Sequence, residues 1–419
     1  MTNVKKQGLL SRYFKLRTSK SILAIVIIAI LIYLSWLFAF PQFGPILTSY
    51  LNDIHALSIE KGKWVLLFIA SMIASNLITG LALKKTTKRI SIIIAASIVI
   101  SLFTLIFGLN YMDMYLIAIP LGLAAGISPV AWGTYFTENV TPEERGRVAG
   151  IAIGLSMPIA QLFVITEPFD LFSTAENKVL IIGILILISF ILLAFRSKNE
   201  DIAKTTKKSK GHPPKQIILY AIPVFLFSLV SGILLSIVFP TILGNISSEI
   251  FYIIWAIPVL IGAIIAGTQL DLRGRKFPTM VGLAITGVSI ALIAIFNINT
   301  GYLFIIPLAV GFSFVLITSY IIWADMSPEN AGSIFYGLGF ALINSGIMLG
   351  LILTGTHFGS VSSAQINSYS LLAAILLFVS IPPLILAEEA LPKALIEKRQ
   401  LMEYLDGMKG RLVKKKEKE

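Results

Sequence analysis

Twelve stretches of the chain run for about the thickness of a bilayer without a single Asp, Glu, Lys, Arg or His: 21–40, 64–83, 90–109, 114–136, 148–166, 179–195, 216–240, 250–270, 277–296, 302–324, 333–356 and 366–387. A hydrocarbon core about 30 Å thick asks for roughly 20 apolar residues per helix, and a helix satisfies its own backbone where water is absent. Membrane β-strands alternate apolar and polar residues over about ten positions, whereas 179–195 is apolar on nearly every side. The pattern therefore predicts an all-α integral membrane protein with twelve transmembrane helices. Only 13% of its residues are charged, against about 25% in a soluble domain.

The net charge of +12 invites a polyanionic partner, but where the charges sit matters more than their sum. With a cytoplasmic amino terminus and every stretch crossing, all of the 34 Lys and Arg except Lys61, Lys63 and Lys178 fall on the cytoplasmic side. That is the bias expected of a membrane protein with positive loops inside. It places both termini in the cytoplasm of a plasma-membrane protein and removes the reason to expect nucleic acid. The first apolar run follows a basic stretch but continues into Phe40 and Pro41 without a small-residue cleavage pattern, so it reads as a retained span.

The longest polar interruption between spans, 197–216, is rich in lysine and divides the spans six and six. The chain thus reads as an N-terminal bundle over 1–196, a cytoplasmic linker over 197–216 and a C-terminal bundle over 217–388. A tail over 389–419 follows, in which Leu395, Met402, Leu405, Met408 and Leu412 recur at helical spacing among lysines. It reads either as an amphipathic helix on anionic lipid or as a solvated charged tail.

The halves carry matched landmarks. Gly80 and Gly267 each close a span and open a basic turn, and Glu138 and Asp325 each end a span with an aromatic-rich terminus; both pairs are 187 residues apart. The turns that follow, Thr141-Pro142-Glu143-Glu144 and Ser327-Pro328-Glu329-Asn330, read as helix starts, with Ser or Thr as N-cap and Pro in the first helical position.

The turn Gly267-Thr-Gln-Leu-Asp271-Leu-Arg273-Gly274-Arg275-Lys276 resembles the signature loop of the major facilitator superfamily, Gly-x-x-x-Asp-Arg-x-Gly-Arg-Arg or Lys. With twelve spans, a central loop and a half-chain repeat, the resemblance covers nearly the whole chain. It implies two six-helix bundles related by a pseudo-two-fold repeat, and a secondary transporter working by alternating access. It also implies a latch that closes the cytoplasmic side: Gly267, Asp271, Gly274 and Arg275, with Asp271 facing the start of the fifth span near Gly146 and Arg275 pairing with Asp325. The first-half copy departs from the pattern. Lys84 stands where the carboxylate belongs and Thr87 replaces the inner glycine, so that latch (Gly80, Lys88, Arg89, Glu138) is expected to be weaker.

Transporters of this architecture bind solute near the midplane, and polar residues within spans are costly enough to be functional candidates. All those within the spans are neutral here: Gln42 (just past the first), Asn76, Trp132, Gln161, Ser228, Ser231, Trp255, Ser313, Tyr320 and Asn344. Each also has a structural reading, as a hydrogen bond between helices or an interfacial tryptophan. A fully charged solute in a low-dielectric cavity wants a fixed counter-charge, so the expected cargo is a small neutral, zwitterionic or amphipathic organic molecule. If protons drive transport, the titrating group lies near a span end, where Asp113, Glu138, Glu167, Asp325 and His357 stand. A facilitator without ion coupling fits equally.

The alternative on the same scaffold is a membrane receptor or sensor that binds without translocating. An enzyme is not expected, because the spans hold no titratable or metal-binding group and the three histidines lie in separate loops. No nucleotide-binding Gly-x-x-x-x-Gly-Lys-Ser/Thr loop occurs. The expected partners are a small-molecule substrate, protons if transport is coupled, and membrane lipid. The chain is expected to act as a monomer with no cofactor and no metal.

Overall fold

The computed structural model describes residues 25–30, 58–83, 114–165, 184, 188, 212–243, 248–296, 302–328, 331–355, 363–391, 397 and 401. Among them the secondary structure is helical throughout. The elements are α1 (Ser58–Ala82), α2 (Met114–Asn139), α3 (Arg145–Ile165), α4 (Pro214–Ile233), α5 (Ser248–Arg273), α6 (Lys276–Phe296), α7 (Ile305–Met326), α8 (Gly332–Leu353), α9 (Ser363–Val379) and α10 (Ile381–Leu386). Nine of the twelve expected spans coincide with helices here. The spans at 21–40, 90–109 and 179–195 fall largely outside the described residues.

The distribution of side chains is inverted relative to a soluble protein. Ile250, Ile253, Ile257, Ile261, Ile264 and Ile265 form an outward stripe along α5, while Ser313, Thr286, Asn344 and Asp271 are fully buried. An exposed apolar stripe of that length would be an aggregation liability in water; a bilayer covers it. Among the described residues seven helices are long and apolar enough to cross a membrane by length and composition, and the chain is a multi-pass membrane protein.

Many buried hydroxyls are satisfied locally. Ser128, Thr134, Ser228, Ser231, Thr286, Thr318 and Ser319 each donate to the carbonyl one turn earlier on their own helix, so these hydroxyls need no partner from another helix. Past Ile233, α4 widens into a π-turn over Leu234–Val238 before a last α-turn, Phe239–Leu243. Pro240 lacks the amide that would bond the Ser236 carbonyl in α geometry, and the Ser236 hydroxyl reaches Thr354 Oγ1 at 2.6 Å.

Two helix starts differ from the sequence reading. Helix α3 begins at Arg145 and α8 at Gly332, each about a turn later than the Thr-Pro and Ser-Pro pairs suggest. Ser327 instead closes α7 in extended geometry and donates to Ala324 O at 3.0 Å. Capping chemistry alone does not separate a helix start from a one-turn connector stopped by the preceding span.

Helix packing joins the two parts of the sequence through two crossings: α3 lies on α5, and α8 on α1. Both are so close that glycine is required. A Cβ on Gly150 would lie 2.5 Å from Ala263 O, and one on Gly267 2.3 Å from Gly146 O. In the other crossing a Cβ on Gly337 would lie 2.7 Å from Asn76 O, and one on Gly80 3.0 Å from Ser333 O. These contacts correspond one to one at a single sequence offset of 187, so the internal repeat extends from landmarks to packing geometry.

Candidate functional site

Four chain segments converge where the ends of α2, α5, α7 and α10 meet the starts of α3 and α6. Asp271, in the last turn of α5, is fully buried and turned toward the first turn of α3. Its Oδ1 accepts from Gly146 N at 2.8 Å, and its Oδ2 from Arg147 N at 3.1 Å and Arg147 Nε at 3.2 Å. The first-turn amides of a helix have no acceptor within the helix and sit at its positive dipole end, which makes them a ready carboxylate site. Gly146 makes the approach achievable, since a Cβ there would sit 2.6 Å from Asp271 Oδ1.

Arg275, also fully buried, connects this pair to α7. Its Nη1 donates to Asp271 Oδ1 at 3.0 Å and Leu270 O at 2.7 Å, its Nε to Asp325 Oδ2 at 2.6 Å, and its Nη2 to Pro142 O at 3.0 Å. The other oxygen of Asp325 takes Arg145 Nη1 at 2.8 Å. Two carboxylates and three guanidinium groups thus form one network across the α3–α5 crossing. Burial by itself pushes the Arg275 pKa down, but Asp325 and Asp271 outweigh it and raise it, so the guanidinium stays charged. A buried pair of this kind is strongly destabilised when one partner is removed.

The turn carrying Arg275 is itself held from the far end of the chain. Gly274 has φ +89°, a left-handed conformation that glycine adopts freely. A Cβ on it would also strike the Glu389 carboxylate, 2.4 Å away. Glu389 accepts from Arg275 N at 2.6 Å and Lys276 N at 3.1 Å, capping α6, and Lys276 Nζ donates to Ile385 O and Ala387 O at the end of α10. Tyr220 Oη donates to Glu388 O, and Glu388 N to Gln216 Oε1, tying the same segment to α4.

The other candidate residues are dispersed. Gly267 and Gly80 lie at the two crossings, and Glu138 is exposed near the end of α2. Trp132 donates to Ile25 O at 3.1 Å and meets Tyr320 edge-on at 6.0 Å; Tyr320 in turn meets Phe340 at 5.2 Å, so an aromatic chain joins α2, α7 and α8. Trp255 packs among Phe239, Phe251 and Phe312. The Ser228, Ser231 and Ser313 hydroxyls are engaged with their own helices. Asn76 and Asn344 are fully buried with no hydrogen-bond partner among the described residues. Gln161 falls on α3, its side chain outside the described set. Gln42, Lys84, Thr87, Lys88, Arg89, Asp113, Glu167 and His357 lie outside the described residues.

Sequence reasoning did not single out Arg145, Arg147 or Glu389 as members of the network. The two arginines were legible only as topology-setting charge, and Glu389 only as the first residue of a charged tail. No local pattern marks the three, because their roles depend on which turns meet in space.

No family model matches the chain, and no curated protein matches it. Among solved structures it is similar to that of the major facilitator superfamily proton:xylose symporter XylE bound to 6-bromo-6-deoxy-D-glucose, with a TM-score of 0.66 over 87% of this chain and 95% of that one. The fold is that of the major facilitator superfamily. Sequence identity is only 13%, so the likeness is one of backbone architecture. The Asp271–Arg275–Asp325 network joins α3, which precedes the 197–216 stretch in the sequence, to α5 and α7, which follow it.

Proposed function

We propose that this chain is a secondary transporter that moves a small organic solute across the plasma membrane by rocking its two halves, 1–196 and 217–388, about a central path. The network on Asp271, Arg275 and Asp325 is the latch that holds the cytoplasmic side closed, with both termini, the 197–216 linker and the 389–419 tail on that side. The observation that carries the reading is the kind of contact at this end of the α3–α5 crossing. The halves meet there through glycine backbone and a buried, discrete set of charge-assisted hydrogen bonds. Such an interface has two well-defined states, made and broken, because its charges are satisfied either by each other or by water.

Within the described spans no charged side chain faces the seams between the halves away from the latch, which favours a neutral, zwitterionic or amphipathic solute over an anion. The sugar-binding symporter among its structural neighbours is consistent with such a cargo. Span-end carboxylates such as Asp325 and Glu138 are the proton carriers if transport is coupled. The test is uptake of labelled D-xylose, glycine betaine and tetraphenylphosphonium by purified protein in liposomes, with succinate and glucose 6-phosphate as charged comparators. Saturable flux of an uncharged, zwitterionic or amphipathic probe is expected. Micromolar uptake of the dicarboxylate or the phosphate ester would refute the solute class, and saturable binding without flux would favour a sensor.

A further inference from the structure

The seam between α1 and α8 contains a polar feature that packing does not require. Asn76 on α1 and Asn344 on α8 are both fully buried, and neither Oδ1 nor Nδ2 of either has a partner among the described residues. An amide brings two donors and an acceptor oxygen with two lone pairs. By contrast, Asn139 donates from Nδ2 to Tyr135 O, one turn back on its own helix.

Both amides belong to the same seam. The Asn76 carbonyl lies against Gly337, and Gly80, one turn on, lies against Gly337 and Ser333. Asn344 is seven residues beyond Gly337, two turns along on the same face of α8. One wall of the seam therefore carries Asn76 and the other Asn344. One turn before Asn344 stands Phe340, which an aromatic chain through Tyr320 links to Trp132 on α2.

The repeat supplies an internal control. At the offset of 187, Asn76 corresponds to Ala263 and Asn344 to Met157, on the equivalent α5–α3 seam. That crossing has the same close glycine contacts, and its counterparts to the two amides are apolar and buried. Helix packing of this geometry does not need amides. A buried polar group without a partner is destabilising, so these two weaken the conformation in which they are dry.

We propose that Asn76 and Asn344 are the hydrogen-bonding walls of the transport path, dry in this conformation, wetted when the α1–α8 seam parts, and shaped for an uncharged solute that offers both a donor and an acceptor, such as a hydroxyl or amide. The proposal rests on the transporter reading and deepens it by naming the solute's chemistry and the residues that meet it.

The chain contains no cysteine, so single Asn76→Cys, Asn344→Cys and Ser333→Cys variants report unambiguously through methanethiosulfonate ethylammonium labelling. Ser333 marks the mouth of the seam beside Gly80. In an Asp271→Asn background all three thiols are expected to react more than about tenfold faster than with the latch intact, following the open population. Reaction at Ser333→Cys without reaction at Asn76→Cys and Asn344→Cys overturns this proposal and leaves the latch standing. No reaction at any of the three overturns the latch, and the proposal with it. Asn76→Leu and Asn344→Leu in solute-free protein supply a second readout. Each is expected to raise Tm, by about 2 °C, because an unpartnered buried amide is replaced by an apolar group of similar size. A fall in Tm for both would show that the amides make structural bonds, and overturns the proposal.

Discussion

Replacing Asp271 with Asn is the perturbation most closely tied to the latch. The carboxylate accepts four hydrogen bonds, from Gly146 N, Arg147 N, Arg147 Nε and Arg275 Nη1, and is fully buried. Asparagine keeps the shape, but its NH2 group then faces donors it cannot accept from, and Arg275 is left with Asp325 as its remaining carboxylate. Hydrogen bonds to charged groups are worth about 1.5–3 kcal/mol each, and breaking a buried pair costs about 3–5 kcal/mol. In an open state the same side chain is hydrated and the substitution costs little. The difference between the states is therefore about 3 kcal/mol, and since every 1.4 kcal/mol is a factor of ten, the closed-to-open ratio falls by roughly two powers of ten. A closed form favoured about 100 to 1 would be brought near parity. Spin labels on Ala82→Cys and Lys215→Cys, exposed positions at this end of the first and second halves, read the change by double electron–electron resonance. The Asp271→Asn protein is expected to show a second, longer distance population. A distribution identical to that of the unsubstituted protein would refute the reasoning.

The first-half turn carries Lys84 in place of a carboxylate, so Lys84→Asn is expected to leave the same distance distribution unchanged; an effect as large as that of Asp271→Asn would show the two turns to be equivalent. Gly146→Ala and Gly267→Ala each force a Cβ to within 2.4 Å of a facing carbonyl oxygen, an overpacking expected to cost about 1–3 kcal/mol and to lower Tm. An unchanged Tm would mean the crossing is looser than described. Gly274→Ala strains a left-handed turn and strikes the Glu389 carboxylate, so part of its loss in Tm is expected to be recovered by Glu389→Ala in the double variant. Strict additivity would rule out the contact.

The spans were legible because lipid imposes one length and one composition on every crossing. Both boundaries of the nine spans that coincide with described helices fall within a few residues of helix ends for that reason, except that α1 begins six residues before its expected start. Asp271 and Arg275 could be singled out because a charged turn bracketed by glycines is a local pattern. Arg145, Arg147 and Glu389 could not, since their roles depend on which turns meet in space and nothing within a few residues of them encodes it. The π-turn after Ile233 and the late start of α8 were hidden for the opposite reason. Local chemistry was present there, in Pro240 and in Ser327-Pro328, but it admits more than one backbone solution until the neighbouring helix is in place. The burial of Asn76 and Asn344 followed from their positions within spans; their lack of partners did not.

Alternating access makes a demand that concerns both ends of the molecule at once. A second pair of labels, on Lys63→Cys at the start of α1 and Phe296→Cys at the end of α6, reports from the end away from the latch at two exposed positions. When Asp271→Asn lengthens the Ala82–Lys215 distance, the Lys63–Phe296 distance is expected to shorten in the same fraction of molecules. If the far end stays fixed, or lengthens together with the near end, the halves do not rock about a central path and the transporter account is contradicted.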